Sequence, residues 1–137
     1  MKKLLWAAMA VAFVCSTTAA MGEGQAADDG TSPQFNKCMD KAASTADMND
    51  CYGAELKSLD ERLNKAYKEL MGKLDDDGKH TLKASEVAWL KYREAASRDF
   101  EVTGGTMDSL TANGIFLKVT AQRVQMLEER LEALEDM

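Results

Sequence analysis

Three groups of polar residues in this sequence recur at the spacing of a single helix face, and their chemistry suits ion pairing or recognition. The groups are Glu86, Trp89 and Arg93, then Asp60, Asn64 and Tyr67, and finally Thr120 and Arg123. Separations of three and four residues place the members of each group on one side of a helix. Polar groups beside apolar positions must find hydrogen-bond partners or stay in water, so these residues predict a polar network.

Two roles fit such a network. We expect the acids Asp60 and Glu86 to pair with arginines of neighbouring helices, which would fix the register of the helices. The alternative is a recognition edge formed by Trp89, Tyr92 and Arg93, because tryptophan and arginine are enriched where proteins bind each other most strongly. Both interpretations stay open at the level of sequence.

Catalytic and metal-binding sites are hard to assemble from these residues. His80 is the only histidine, and no partner for general acid–base chemistry accompanies it. Asp75 and Asp77 resemble the start of a calcium-binding loop, but Lys79 stands where that loop requires a ligand. Two cysteines and one distant histidine are too few ligands for zinc. We therefore predict a protein that is not an enzyme and that holds no metal or cofactor.

The first twenty residues predict a cleaved signal peptide. Two lysines are followed by an apolar run from Leu4 to Val14, and small residues precede the predicted cleavage after Ala20. The run is too short for a transmembrane helix, so no stable membrane insertion is expected after cleavage. Cys15 could accept a lipid, but the bulky Val14 before it disfavours lipidation. We therefore expect a bacterial protein that is periplasmic or secreted.

The charge of the chain narrows the class of partner. The formal net charge is −6, and the first twenty residues contribute two lysines and no acid, so the predicted mature chain carries −8. Such an acidic protein binds nucleic acid poorly, because phosphate contacts need lysine and arginine. Its long-range field favours a basic partner instead.

Two cysteines, Cys38 and Cys51, remain after the predicted cleavage. In an oxidising compartment they predict one disulfide, which should stabilise the domain by about 3 kcal/mol because it closes a short loop. Residues 21–33 are rich in small and polar residues and are expected to form a disordered leader. Residues 34–137 are expected to form one small domain.

Hydrophobic periodicity predicts only helices in this domain. The expected helices cover 34–43, from the capping box at 44–47 to 74, then 81–102 and 107–134. Asp75 to Gly78 are predicted as a turn and Gly104-Gly105 as a helix stop, while Phe100 is expected to face inward. The apolar residues from Leu110 to Leu134 follow a heptad alternation.

Short connections and the absence of period-two alternation complete the prediction of fold class. We expect an all-α fold, a small antiparallel helical bundle of three long helices plus one short disulfide-stapled N-terminal helix.

The ordered set of these residues resembles the LprI-type domain, which is named for a mycobacterial lysozyme-inhibitor lipoprotein. The resemblance spans Cys38 to Leu127. It is carried by Cys38, Ala46-Asp47-Met48, Cys51, Glu55, Asp60, Leu63-Asn64, Tyr67, Leu82-Lys83-Ala84, Trp89, Tyr92-Arg93, Thr120, Arg123 and Leu127.

The chain also departs from the family pattern. Ser97 and, in our alignment, Ile115 stand where members usually carry a second cysteine pair, and Glu86 replaces a glutamine. The resemblance implies an exported helical domain that binds and inhibits a lysozyme, for which a basic lysozyme is the expected partner. The alternative function is a structural or accessory envelope protein that self-associates through its leucine-rich last helix.

Overall fold

Four α-helices make up the part of the chain that the computed structural model describes, which is residues 30–101 and 103–137. They are α1 (Pro33–Lys41), α2 (Thr45–Lys73), α3 (Asp76–Arg98) and α4 (Thr106–Glu135). These residues contain no strand, so the predicted all-helical class is confirmed. The predicted signal peptide, the cleavage after Ala20 and Cys15 lie outside the described residues, as do residues 21–29 of the predicted leader.

The first two helices begin at side-chain caps. Ser32 accepts a hydrogen bond from the backbone N–H of Phe35, and Pro33 follows as the first helical residue, where its missing N–H costs nothing. The predicted capping box of α2 is present, because Ser44 and Asp47 each accept from the other's backbone N–H. The side-chain contact with Ser44 lowers the pKa of Asp47 most, and the hydrogen bonds from the backbone N–H groups of Ala43 and Ser44 lower it further.

Helix α3 begins five residues earlier than predicted. Asp75 caps it by accepting from the backbone N–H of Gly78, so the run expected to be a turn is already the first helical turn. Asp76 and Asp77 favour this start, since carboxylates stabilise the positive end of the helix dipole. The predicted start at Thr81 was therefore wrong.

The other end of α3 also differs from the prediction. The helix ends at Arg98 instead of Val102, and Phe100, which was expected inside, is 43% exposed beyond the helix end. Gly104 does take the left-handed conformation expected of it, with φ of +72°, but in the loop that leads to α4.

The core lies mainly between α2 and α4. Its buried members from these two helices are Leu59, Leu63, Ala66, Leu70, Leu117, Ala121, Val124, Leu127 and Leu131. Helix α3 supplies only Leu82 to the fully buried set. Helix α4 thus buries residues toward both long neighbours, while α3 rests on α4 with much of its own surface in solvent.

Polar contacts between α2 and α4 show which residues of the two helices lie next to each other. Asn49 accepts a hydrogen bond from Asn113 near the start of both helices, and Arg62 binds Glu128 further along. Lys73 then meets Glu135 where both helices end. No helix in the described part of the chain has the length and apolar character that crossing a membrane requires.

Helix α1 is held against α2 by a disulfide and a ring contact. Cys38 and Cys51 form the predicted disulfide, which is confirmed, and the rings of Phe35 and Tyr52 lie 5.4 Å apart. Before α1, Gly30 passes so close to α4 that an added Cβ would lie 2.9 Å from the Cβ of Ala121, and its φ is +74°. The end of the predicted leader is therefore packed on the domain.

Candidate functional site

The first part of the candidate site is an ion pair between α3 and α4. Arg123 donates from Nε and Nη2 to Oε2 of Glu86 at 2.9 and 2.8 Å, and from Nη2 to Oγ of Ser85 at 2.9 Å. The two charged side chains are 9% and 14% exposed. Ser85 in turn donates to the carbonyl of Leu82, so its hydroxyl is used twice. This arrangement ties the middle of α4 to the first half of α3.

A second arginine lies between two aromatic rings. The guanidinium carbon of Arg93 is 4.5 Å from the ring centre of Trp89 and 4.1 Å from that of Phe116. Its Nη1 donates to Oγ1 of Thr120 at 3.2 Å, and Thr120 donates to the carbonyl of Phe116 at 2.8 Å. Asp60 approaches the same Nη1 only to 3.8 Å, which is an ion pair without a hydrogen bond.

Burial and the neighbouring carboxylates shift the pKa of this guanidinium in opposite directions. Loss of water lowers the pKa of Arg93, while Asp60, Glu86 and Glu94 raise it. Arginine begins from a pKa far above neutrality, so the side chain keeps its charge in the folded protein. The Nε atom of Arg93 and the indole Nε1 of Trp89 are both buried without a hydrogen-bond partner among the described residues. Arg93 is thus fixed by rings and one hydroxyl rather than by a full set of hydrogen bonds.

An open groove runs beside this cluster between α2 and α3, and we call it the α2–α3 groove. Its cavity volume is about 470 Å³. Helix α2 lines it with the predicted group Asp60, Asn64 and Tyr67, together with Leu63. Helix α3 lines it with Lys83, Glu86, Val87, Trp89, Leu90 and Arg93. The groove exists because α3 packs against α4 and leaves room beside α2.

The residues predicted from sequence as a site therefore separate into three sets. Glu86 and Arg123 meet each other directly, and Arg93 meets Trp89 and Thr120. Asp60, Asn64 and Tyr67 lie together along the groove. Tyr92 joins none of the three sets, since it is 61% exposed on α3.

Comparison with protein families identifies the domain to which these residues belong. The family model described as "Lysozyme inhibitor LprI" matches residues 38–127. The chain belongs to the LprI family. An uncharacterized protein of Rhizobium meliloti (strain 1021) is 27% identical over 111 residues, which covers 70% of this chain and 80% of that protein. No solved structure matches the chain.

The LprI region contains all three sets of polar residues as well as the disulfide. Its first matched residue is Cys38, and its last, Leu127, is a core residue of α4. Ser97, which stands at a position where we expected a family cysteine to be missing, donates its hydroxyl to the carbonyl of Glu94 in its own helix. In this LprI domain one confirmed disulfide therefore secures the α1 end.

A buried carboxylate in the LprI region was not assigned a role from sequence. Glu55 is 6% exposed, and it accepts two hydrogen bonds from Ser32, one from the backbone N–H and one from the hydroxyl, both at 2.6 Å. Its position between Cys51 and Leu59 on the buried stripe of α2 was the signal, because an acid there needs a partner. Glu55 joins the segment before α1 to α2.

Two further partners were missed for a simpler reason. Ser85 and Phe116 are ordinary helix residues whose importance depends on the approach of Arg123 and Arg93 from other helices. The described residues contain no group of three or more acidic, histidine or cysteine side chains that could hold a metal ion.

Proposed function

We propose that this protein is an exported, non-enzymatic binding protein that inhibits a basic lysozyme. The observation that carries the proposal is the LprI family match over residues 38–127, since the family description names lysozyme inhibition. The acidic composition supports it, because a formal net charge of −6 attracts a basic enzyme at long range. Charge speeds the encounter, and contacts at a defined surface must then supply the affinity.

Export is part of the same proposal. The lysines, apolar run and small residues of the first twenty positions form a signal peptide that is cleaved after Ala20. The mature protein then reaches the periplasm or the medium, where a lysozyme would be met and where a disulfide persists. Nucleic acid is not a partner, because the chain is acidic.

The finer architecture is also proposed. Along α2 and α4, the contacting residues follow each other in the same chain order. Along α3 and α4 the order is reversed, because Glu86 contacts Arg123 while the later Arg93 contacts the earlier Thr120. This order supports a bundle in which α3 runs antiparallel to α2 and α4. The ion pair and the ring-bound arginine then fix the register of α3 on α4.

The alternative function is a structural or accessory envelope protein that pairs through its last helix. The heptad of α4 suggested it, but the leucines of that heptad from Leu110 to Leu131 are buried inside this chain. The leucine face of α4 that would pair with a partner helix is therefore already packed within the domain. We therefore favour lysozyme inhibition.

Lysis of a bacterial cell-wall suspension tests the proposal. The purified protein is added to c-type and g-type lysozymes over a range of molar ratios, with the decrease in turbidity as the readout. We expect a dose-dependent slowing of at least one basic enzyme. No slowing of either class at large molar excess would contradict the proposal. Light scattering of the same sample tests the alternative, which requires an oligomer.

A further inference from the structure

We propose that the α2–α3 groove is the partner-binding surface and that it receives an arginine side chain from a basic partner protein. The inference deepens the proposed function and rests on it only for the identity of the partner. It assigns a task to Asp60, Asn64 and Tyr67, which the ion pairs between α3 and α4 do not use.

The carboxylate of Asp60 has unused hydrogen-bonding capacity. Its side chain is 50% exposed, and the one ion pair that it makes within residues 30–101 and 103–137, with Arg93, is 3.8 Å long. Arg93 does not close that distance, because its guanidinium is held between the rings of Trp89 and Phe116 and donates to Thr120. Asp60 therefore presents oxygen atoms to the groove that a second guanidinium could bind.

Two more polar side chains continue the line of Asp60 along α2. Asn64 and Tyr67 follow it by four and seven residues on the same helix face, and both line the groove. Neither side chain makes a hydrogen bond or ion pair with any residue in the described part of the chain. An amide oxygen and a phenol oxygen thus lie beside the carboxylate, and all three can accept hydrogen bonds.

The opposite wall of the groove is apolar at its centre. Val87 and Leu90 of α3 line the groove and are both exposed, although they are large hydrophobic residues. Such a wall fits the methylene groups of an arginine, whose stem packs on apolar surface while its head reaches a carboxylate. Arginine suits the three acceptors, because its planar head carries five N–H donors.

Two cations line the groove, and the one nearer to Asp60, Arg93, is held against the rings of Trp89 and Phe116. Lys83 precedes Arg93 by ten residues on α3, which places it about 15 Å away along the helix axis. Because Asp60 lies beside Arg93, Lys83 marks the other end of the groove. The acidic chain as a whole still draws a cationic group toward this surface.

Fluorine NMR on Trp89 tests the inference, because Trp89 lines the groove. The sequence has two tryptophans, and the proposed cleavage after Ala20 removes Trp6, so 5-fluorotryptophan labelling of the exported protein leaves Trp89 as the only reporter. The exported protein is titrated with the peptide acetyl-Gly-Arg-Gly-amide and, separately, with its citrulline analogue, which has the same shape without the charge. We expect a saturable shift with arginine and at least about tenfold weaker binding of citrulline.

Two matched variants locate the effect. Asp60→Asn should weaken arginine binding by at least about tenfold, because it removes the charge that the guanidinium meets. Asp76→Asn, which changes net charge equally at a fully exposed residue of the first turn of α3, should leave binding unchanged. Leu90→Ser should weaken binding with little loss of stability, since Leu90 is exposed. Circular dichroism confirms that each variant is folded.

The outcomes separate this inference from the proposed function. The absence of a saturable shift, equal binding of citrulline, or unchanged binding by Asp60→Asn would overturn the groove assignment, whatever the lysis assay shows. Unchanged inhibition of a lysozyme by Asp60→Asn would overturn it too, while the proposed function would stand. A specific arginine site in a protein that inhibits no lysozyme would support the groove and reject lysozyme as the partner.

Discussion

Arg123 and Glu86 join α4 to α3 through one carboxylate oxygen, which accepts from both Nε and Nη2 of the arginine. Both side chains are largely withdrawn from water, and Ser85 completes the coordination of the guanidinium. A buried pair of this kind is costly to form and more costly to break on one side. We therefore propose that it specifies which residues of α3 and α4 face each other.

Removing one member of this pair should destabilise the protein strongly. Arg123→Ala leaves the carboxylate of Glu86 buried without its cation, and we expect a loss of about 3 kcal/mol in the free energy of unfolding. The double variant Arg123→Met with Glu86→Leu should lose clearly less, because it leaves no unpaired charge. Urea denaturation measures both. Equal losses of unfolding free energy in the single and double variants would show that the unpaired charge of Glu86 is not the cause of the destabilisation.

Arg93→Ala should reduce stability without reducing binding per folded molecule, because it removes a cation 3.8 Å from Asp60 and leaves that carboxylate open to a partner's arginine. The substitution removes a cation from between two rings and a hydrogen bond to Thr120, and together these contacts contribute about 2 kcal/mol. Arg93→Lys should recover only part of the loss, since an ammonium does not stack as a planar group does. Melting temperature and lysozyme binding are measured on the same samples. A loss of binding at full folding would make Arg93 itself a recognition residue.

The disulfide should contribute about 3 kcal/mol, because it closes a short loop in the unfolded chain. The bridge spans a sequence separation of 13 residues. The double variant Cys38→Ser with Cys51→Ser should melt at a lower temperature than the oxidised native protein. The native protein with reductant should melt at nearly the same temperature as this double variant. If the reduced native protein melts as high as the oxidised one, α1 is secured by its other contacts.

Ser32→Ala should loosen α1 specifically. The change removes the hydroxyl that both caps α1 and donates to Glu55, and a hydrogen bond to a charged group contributes about 2 kcal/mol. Hydrogen exchange should accelerate in α1 and remain unchanged in α4. A matched Ser58→Ala variant, at an exposed position of α2, serves as the control. Uniform acceleration across all helices would mean that the contact stabilises the whole fold and not α1 alone.

The capping box of α2 should give a pH-dependent stability. The hydrogen bond from Ser44 lowers the pKa of Asp47 below its ordinary value of 3.8 in the folded state. The charged form therefore stabilises the fold above that value, and its contribution is lost as the pH falls through the lowered pKa. The difference in melting temperature between the native protein and Asp47→Asn should be constant near neutrality and shrink below about pH 4. A difference that persists unchanged at pH 2 would contradict this account.

Local signals in the sequence predicted the parts of the fold that depend on local chemistry. The capping box at Ser44 and the disulfide between Cys38 and Cys51 were read from residue types alone. The start of α3 was missed because an aspartate before two further acids and a glycine serves equally well in a turn and at a helix N-terminus.

The candidate site depends on distances that residue spacing cannot supply. Spacing placed Asp60, Asn64 and Tyr67 on one face of a helix, but whether that face is filled by a neighbour depends on how α3 lies. Because α3 packs on α4, Glu86 reaches Arg123, and Asp60 is left facing a groove. The same geometry explains why Phe116 and Ser85 could not be recognised beforehand.

Hydrolysis of a soluble chitooligosaccharide by a basic c-type lysozyme tests the central claim most directly. A soluble substrate separates true inhibition of the enzyme from a mere coating of the cell wall, which would also slow lysis. We predict that the initial rate falls in a saturable manner as the protein is added and approaches zero near a one-to-one ratio. An initial rate that stays unchanged at large molar excess, with intact folding shown by circular dichroism, would contradict the claim that this protein inhibits a lysozyme.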